Sequence, residues 1–186
     1  LFLDRLDDGA HHPPQLEHRL ARRDLLELLG HRRENFQVLL AALAVAQDRL
    51  SEKRLFGKLH IPTNRYAPVD SARQLERAFG QIGPGVLKTR RLGYDGKGQY
   101  RVASRDDLTP AFAALGGVPL LYEEFVPFDH EVSIIGARST RGEIAIYPLN
   151  GNVHVHGILR LTRAPWGTPA LARAAARYLR RVLAHF

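Results

Sequence analysis

Lys88-Thr89-Arg90-Arg91-Leu92-Gly93-Tyr94-Asp95-Gly96-Lys97-Gly98-Gln99 is the densest chemical signal in the chain. Val86 to Thr89 reads as a strand that brings a lysine near its end. Two arginines follow, and three glycines fall between Gly93 and Gly98. Glycine lets successive backbone N–H groups turn toward one point without Cβ obstruction, while lysine and arginine match phosphate oxygens as a point charge and as a fork. The spacing is not that of a P-loop, because Gln99 stands where that motif requires lysine. Nor is it G-x-G-x-x-G, because no third glycine falls at the required step. Two readings stay open on these residues alone: a phosphate-cradling loop, or an exposed hairpin tip with solvating charge.

Downstream of the loop, Gln99–Ala103 is the returning strand, and Asp106-Asp107 caps a helix through Phe112 and Leu115. Leu120–Phe125 and Glu131–Ala137 read as strands. Gly142 marks a hairpin turn before a strand over Glu143–Tyr147, Val153–Leu161 reads as extended, and Pro169–Ala184 as a long helix. Upstream, Asp48 predicts the cap of a helix through Leu50, Arg54, Leu55 and Leu59, ended by Ile61-Pro62. Tyr66–Val69 is a strand. Asp70-Ser71 opens a helix over Ala72–Phe79 with Leu75, Ala78 and Phe79 on its apolar face, broken by Gly80 and Gly83. Leu16–Leu29 has the spacing of an amphipathic helix, and the apolar run Val38–Ala46 predicts a buried one. Helices alternate with strands and hairpins, which places the chain in the α+β (mixed α/β) class.

Two further clusters carry chemistry. In Tyr122-Glu123-Glu124-Phe125-Val126, followed by Asp129-His130-Glu131, acids stand at strand ends beside apolar residues. A carboxylate offers two acceptors to the vicinal hydroxyls of a ribose; the alternative is a pair of ordinary surface acids. In Asn152-Val153-His154-Val155-His156-Gly157, His154 and His156 share one face of an extended strand. That spacing suits zinc, but no third ligand accompanies it.

The 186 residues hold 27 Lys+Arg and 19 Asp+Glu, a net charge of +8, with no Cys and no Met. Zero cysteine excludes disulfides, thiolate metal sites and a Cys nucleophile, and permits a reducing, cytoplasmic location. No stretch approaches the ~20 apolar residues of a membrane helix. The charge is uneven: residues 51–110 carry 12 basic and 6 acidic side chains, and residues 160–186 carry 6 basic and none acidic. The first block contains the glycine loop, which favours a small polyanion over nucleic acid. In the second, Arg173, Arg177, Arg180 and Arg181 read as a solvated helix face. A basic nucleic-acid-binding module lacks the interleaved aromatics of a stacking surface and stands as a remote alternative.

The motifs taken together resemble a known family. Asp48-Arg49-Leu50 with Lys53, the loop Lys88–Gln99, Glu123-Glu124-Phe125-Val126, Glu131-Val132-Ser133 and Tyr147 through Arg160 resemble, in order, the 5-(carboxyamino)imidazole ribonucleotide synthases of the ATP-grasp superfamily. The likeness spans about Ala44 to Pro165. It implies an ATP-grasp fold and an ATP- and magnesium-dependent ligase. Such a ligase forms a C–N bond between bicarbonate and 5-aminoimidazole ribonucleotide in purine biosynthesis. It also implies a possible homodimer, with no membrane or nucleic-acid partner. Another ATP-grasp carboxylate-amine ligase is the alternative.

By the resemblance, Arg49 and Lys88 contact the ATP phosphates, and Gly93, Tyr94, Asp95, Gly96, Lys97, Gly98 and Gln99 close over the triphosphate. Glu123, Glu124, Phe125 and Val126 read the adenine edge, Glu131 holds the ribose hydroxyls, and His154 lies beside the nucleotide. Tyr94, Asp95 and Lys97 are the implied catalytic residues, facing the imidazole nucleotide or bicarbonate. Three positions depart from the family pattern. Leu92 stands where the loop usually has glycine, Lys97 where arginine is common, and His156 where an acid is common. Residues 1–47 lack the family's Gly-rich turn and read as a remnant segment. Residues 48–186 read as a partial ATP-grasp domain, with a small lobe about 81–126. The magnesium carboxylates are expected beyond Phe186, with no metal ligand in this chain. The expectation is a chain incomplete at both ends that binds nucleotide weakly if at all and does not turn over alone.

Overall fold

Glycine and short polar caps set the punctuation of the fold. In a computed structural model, which describes residues 36–93 and 97–186, these residues belong to one compact unit, Phe36–Phe186. The predicted helix over Leu16–Leu29 lies outside the described residues. Helix α1 covers residues 36–46. Asp48 then caps α2 (Arg49–Lys58), its carboxylate accepting from the N–H groups of Leu50 and Ser51. Strand β1 (Tyr66–Val69) leads to α3 (Ala72–Ile82), which is capped by the Ser71 hydroxyl. After β2 (Gly85–Thr89) and β3 (Gln99–Val102), a 3-10 turn at Arg105–Asp107 opens α4 (Leu108–Leu115). Strand β4 (Leu120–Glu124) completes a four-stranded antiparallel sheet of order β1-β4-β2-β3.

Helices α3 and α4 cover this sheet. Val69, Leu75, Leu87, Val102, Ala111, Leu120 and Tyr122 form the buried core between them. Each large aliphatic side chain removed from water contributes about 2 kcal/mol. Gly85 is required by close approach: a Cβ there would lie 2.3 Å from the Glu123 carbonyl oxygen and 2.7 Å from the Tyr122 ring. That ring's hydroxyl donates to the Gly83 carbonyl at 2.7 Å, and burial pushes its pKa up to about 12.

The second half of the unit is built from β5 (Glu131–Ser133), β8 (Asn150–Val155) and β9 (Ile158–Arg163), with a separate hairpin of β6 (Gly136–Arg138) and β7 (Ile144–Ile146). Helix α5 (Pro169–His185) starts at its Thr168 cap and packs on β6 and β7, where Gly136 leaves room for Leu179. The α+β reading stands.

Several local expectations are corrected. Val38–Ala46 is helical but not buried: Val38, Leu39, Leu40 and Leu43 are all exposed. An apolar run specifies that a helix wants cover, not which element supplies it. Helix α3 runs through Gly80, because a glycine inside a helix costs only about 1 kcal/mol, and ends at Gly83 with φ 86°. Glu131–Ala137 is two strands in two sheets, not one. Val153–Leu161 is a hairpin, turned by His156 (φ 52°) and Gly157 (φ 77°) in the left-handed region. His154 and His156 therefore do not share a strand face. Asp107 does not cap forward; its carboxylate turns back to accept from the N–H groups of Ala103 and Ser104.

Candidate functional site

The glycine loop leaves β2 and returns as β3, and its neck is closed by backbone: the Thr89 N–H donates to the Gly98 carbonyl at 2.8 Å. Gly98 has φ 70°, and a Cβ there would lie 2.6 Å from Thr89 Oγ1. That hydroxyl is buried and has no hydrogen-bond partner among the described residues. Tyr94, Asp95 and Gly96 lie outside the described residues; Gly93, Lys97, Gly98 and Gln99 flank them. Leu92, just inside the neck, has φ 60° and is 95% exposed.

The N-terminus of α2 abuts this neck. Arg49 donates from Nε to the Thr89 carbonyl at 3.2 Å, and its N–H donates to the Arg90 carbonyl at 3.0 Å. The Arg90 guanidinium grips the buried Asp48 carboxylate with both arms, Nε to Oδ1 at 3.0 Å and Nη2 to Oδ2; Arg91 Nε reaches Oδ2 at 3.4 Å. The Arg90 hydrogen bond, helped by the two backbone N–H groups, lowers the Asp48 pKa to about 2 against the cost of burial. Both of the loop's arginines thus meet a protein carboxylate, Arg90 with a two-armed fork and Arg91 through one nitrogen, where the sequence offers both to phosphate. Arg49, Glu52, Arg90, Arg91 and Gly93 line a cavity of about 540 Å³. Thr89, Leu92, Gly98, Val118 and Pro119 line a second of about 520 Å³.

Next to the neck lies a buried charge network. Glu123 on β4 and Lys88 on β2 are bridged at 2.9 Å, and Lys53 of α2 stands 3.7 Å from the other Glu123 oxygen while donating to Asn64 Oδ1. Burial alone would push Glu123 up, but the Lys88 hydrogen bond and the charges of both lysines leave it below the usual carboxylate value. Neither Lys53 nor Asn64 is among the site residues that the sequence points to. Lys53 sits one turn along α2 from Arg49, a helical spacing that places both toward β2 and β4 and could have flagged it.

Glu124, Phe125 and Val126 follow at the end of β4. Arg65 pairs with Glu124 at 2.8 Å and lowers its pKa, and Arg101 stacks 4.5 Å over the Phe125 ring. A second cluster stands on the other sheet, where Glu131 of β5 and His154 of β8 meet at 3.0 Å. The structure joins Glu131 to His154, joins Lys88 and Lys53 to Glu123, and sets Arg49 on the Thr89 carbonyl at the neck. The two clusters lie on separate sheets linked by residues 125–130.

The ATP-grasp domain model matches residues 54–186. The chain belongs to the ATP-grasp family. It is 49% identical over 144 residues to the N5-carboxyaminoimidazole ribonucleotide synthase of Pseudomonas aeruginosa, an alignment covering 77% of this chain and 40% of that protein. The Thermus thermophilus N5-carboxyaminoimidazole ribonucleotide synthetase structure superposes with a TM-score of 0.72 at 44% identity, over 78% of this chain and 39% of that one. The Aspergillus clavatus synthase, solved with ADP and 5-aminoimidazole ribonucleotide, superposes at 0.71 with 26% identity, over 78% and 39%. The chain thus spans about two fifths of the length of the curated relatives it matches. Among the described residues no helix is long and apolar enough to cross a membrane.

Proposed function

We propose that this ATP-grasp chain supplies the nucleotide-gripping part of an ATP-dependent carboxylating ligase. That ligase converts 5-aminoimidazole ribonucleotide and bicarbonate to 5-(carboxyamino)imidazole ribonucleotide in the cytoplasm, as a homodimer. The observation that carries the reading is the neck of the glycine loop, where Arg49 and the Thr89 hydroxyl, unpartnered among the described residues, both stand beside Gly93, with Lys88 one residue back on the other face of β2. A buried hydroxyl without a partner costs about 1–3 kcal/mol, and a phosphate oxygen is an acceptor that would relieve it. Beside it, Glu123 and the strand end through Val126 would meet the adenine, and Glu131 with His154 the ribose.

ATP supplies the phosphoryl group that activates bicarbonate. The protein's own part is positioning and charge stabilisation: fixed cations and backbone N–H groups aimed at phosphate oxygens lower the barrier without reorganising during the reaction. Lys97, with Tyr94 and Asp95, would face the acceptor. The family also implies magnesium. Among the described residues no group of three or more His, Cys, Asp or Glu could hold a metal ion. The described residues therefore do not fit that ion, and no step is derived through it.

Calorimetric titration of the chain with ATP tests the reading. Saturable binding that is weakened about tenfold or more by Lys88→Ala is expected, since a hydrogen bond to a charged group is worth about 1.5–3 kcal/mol. No binding at millimolar ATP, or binding indifferent to Lys88, rejects it.

A further inference from the structure

The motif that the proposed nucleotide site leaves unused is Asp48. Its buried carboxylate does two things at once. It accepts from Leu50 N–H at 2.9 Å and Ser51 N–H at 3.3 Å, closing the first turn of α2, and it holds the Arg90 fork and touches Arg91. The backbone follows the same seam, with Arg49 N–H on the Arg90 carbonyl and Arg90 N–H on the Pro119 carbonyl, both at 3.0 Å. The Asp48 side chain therefore ties the helix that carries Arg49 to the outgoing arm of the glycine loop, and the Arg90 backbone ties that arm in turn to the loop before β4.

Resting on the nucleotide reading above, we propose that Asp48 is a positioning residue for the phosphate grip: by pinning Arg90 to the start of α2 it sets where Arg49 and Gly93 stand relative to the bound nucleotide. Asp48 acts through the two arginines it holds in place, Arg90 by the ion pair and Arg49 by the helix start it caps. The seam is tight at this point, since a Cβ on Gly93 would meet the Arg49 guanidinium at 3.0 Å. A small displacement of the Arg90 backbone would then move the cation and the loop glycine together. The pair is permanent at neutral pH, because Asp48 is held ionised far below that range.

The test uses the whole chain with Asp48→Asn, Arg90→Gln and the double variant. Asparagine caps a helix as well as aspartate does, so Asp48→Asn separates the latch from the cap. The expected result is faster amide exchange at Arg49 and Arg90, by about tenfold, with unchanged exchange at Leu55 within α2 and at Leu87 in the core sheet. The ATP dissociation constant should rise by about tenfold in Asp48→Asn, and the double variant should be no weaker than either single one, as for groups acting as a pair. A merely structural carboxylate would lower Tm without touching the ATP constant at temperatures where the variant is folded. Unchanged exchange at Arg49 and Arg90, or losses that simply add, overturns the proposal. If Asp48→Asn does not fold, Arg90→Gln alone carries the same two readouts, and the same results support or overturn the latch. If the wild-type chain takes up no ATP but the exchange pattern appears, the positioning role stands and the nucleotide reading falls.

Discussion

At the scale of single residues, the loop neck holds a conformational cost next to a set of favourable charges. Leu92 adopts φ 60°, in the left-handed region, with 95% of its surface in water. A side chain with a Cβ is disfavoured there by roughly 1–2 kcal/mol, and glycine is not. Glycine would take up this backbone geometry without that cost. Leu92→Gly should raise stability by about 0.5–1 kcal/mol, once the added freedom of the unfolded glycine is subtracted; a urea midpoint that falls instead would contradict it. Asp48 gives a pH signature of the opposite kind. Its folded pKa, about 2, lies below the ordinary 3.8. Its contribution is thus fully present above pH about 5 and is lost as pH falls through about 4 toward 2. Asp48→Asn should cost up to about 2 kcal/mol at pH 7, and urea curves for the two proteins should draw together only as the pH falls below about 2.

At the scale of elements, the hairpin between β8 and β9 depends on its two-residue turn. His156 and Gly157 are both left-handed, the pattern of a type I′ turn, for which Asn-Gly is the preferred pair. His156→Asn should add about 0.5 kcal/mol, and Gly157→Ala should remove about 1 kcal/mol, both read from Tm. The same hairpin marks the limit of what the sequence discloses. Tyr66–Val69, Gly85–Thr89 and the Asp48 and Ser71 caps are legible because turn chemistry and a core face act locally. Val153–Leu161 looks like one strand because apolar and polar residues run through the turn without a break. The histidine gives no conformational warning. The candidate site divides the same way. Lys88, the glycines and Glu123 stand out by type and spacing. The capture of Arg90 by Asp48 and the place of Lys53 beside Glu123 depend on residues more than thirty positions apart, and the one local hint is the helical spacing of Lys53 from Arg49.

At the scale of the whole molecule, the question is how the two clusters can serve one nucleotide. Glu123 is buried between Lys88 and Lys53, so its charge is already balanced before any ligand arrives. A nucleotide that recruits Lys88 to its phosphates or base must leave Glu123 with Lys53, and the second lysine makes that exchange possible. Removing Lys53 instead should leave a buried carboxylate with a single partner. Lys53→Ala is therefore expected to weaken ATP binding and to lower the chain's stability, by about 1–3 kcal/mol for a buried carboxylate losing one of its two charged neighbours. Ligand linkage separates the two effects. For the wild-type chain, ATP at about a hundred times its dissociation constant should add about 2.7 kcal/mol of stability. In Lys53→Ala the same concentration should add distinctly less, while Glu131→Gln, altered only on the second cluster, should keep the unliganded Tm of the wild type and lose part of the ATP-induced rise. If ATP stabilises Glu131→Gln as strongly as the wild type, the cluster on β5 and β8 takes no part in nucleotide binding, and the grip is confined to the loop neck and the sheet beside it.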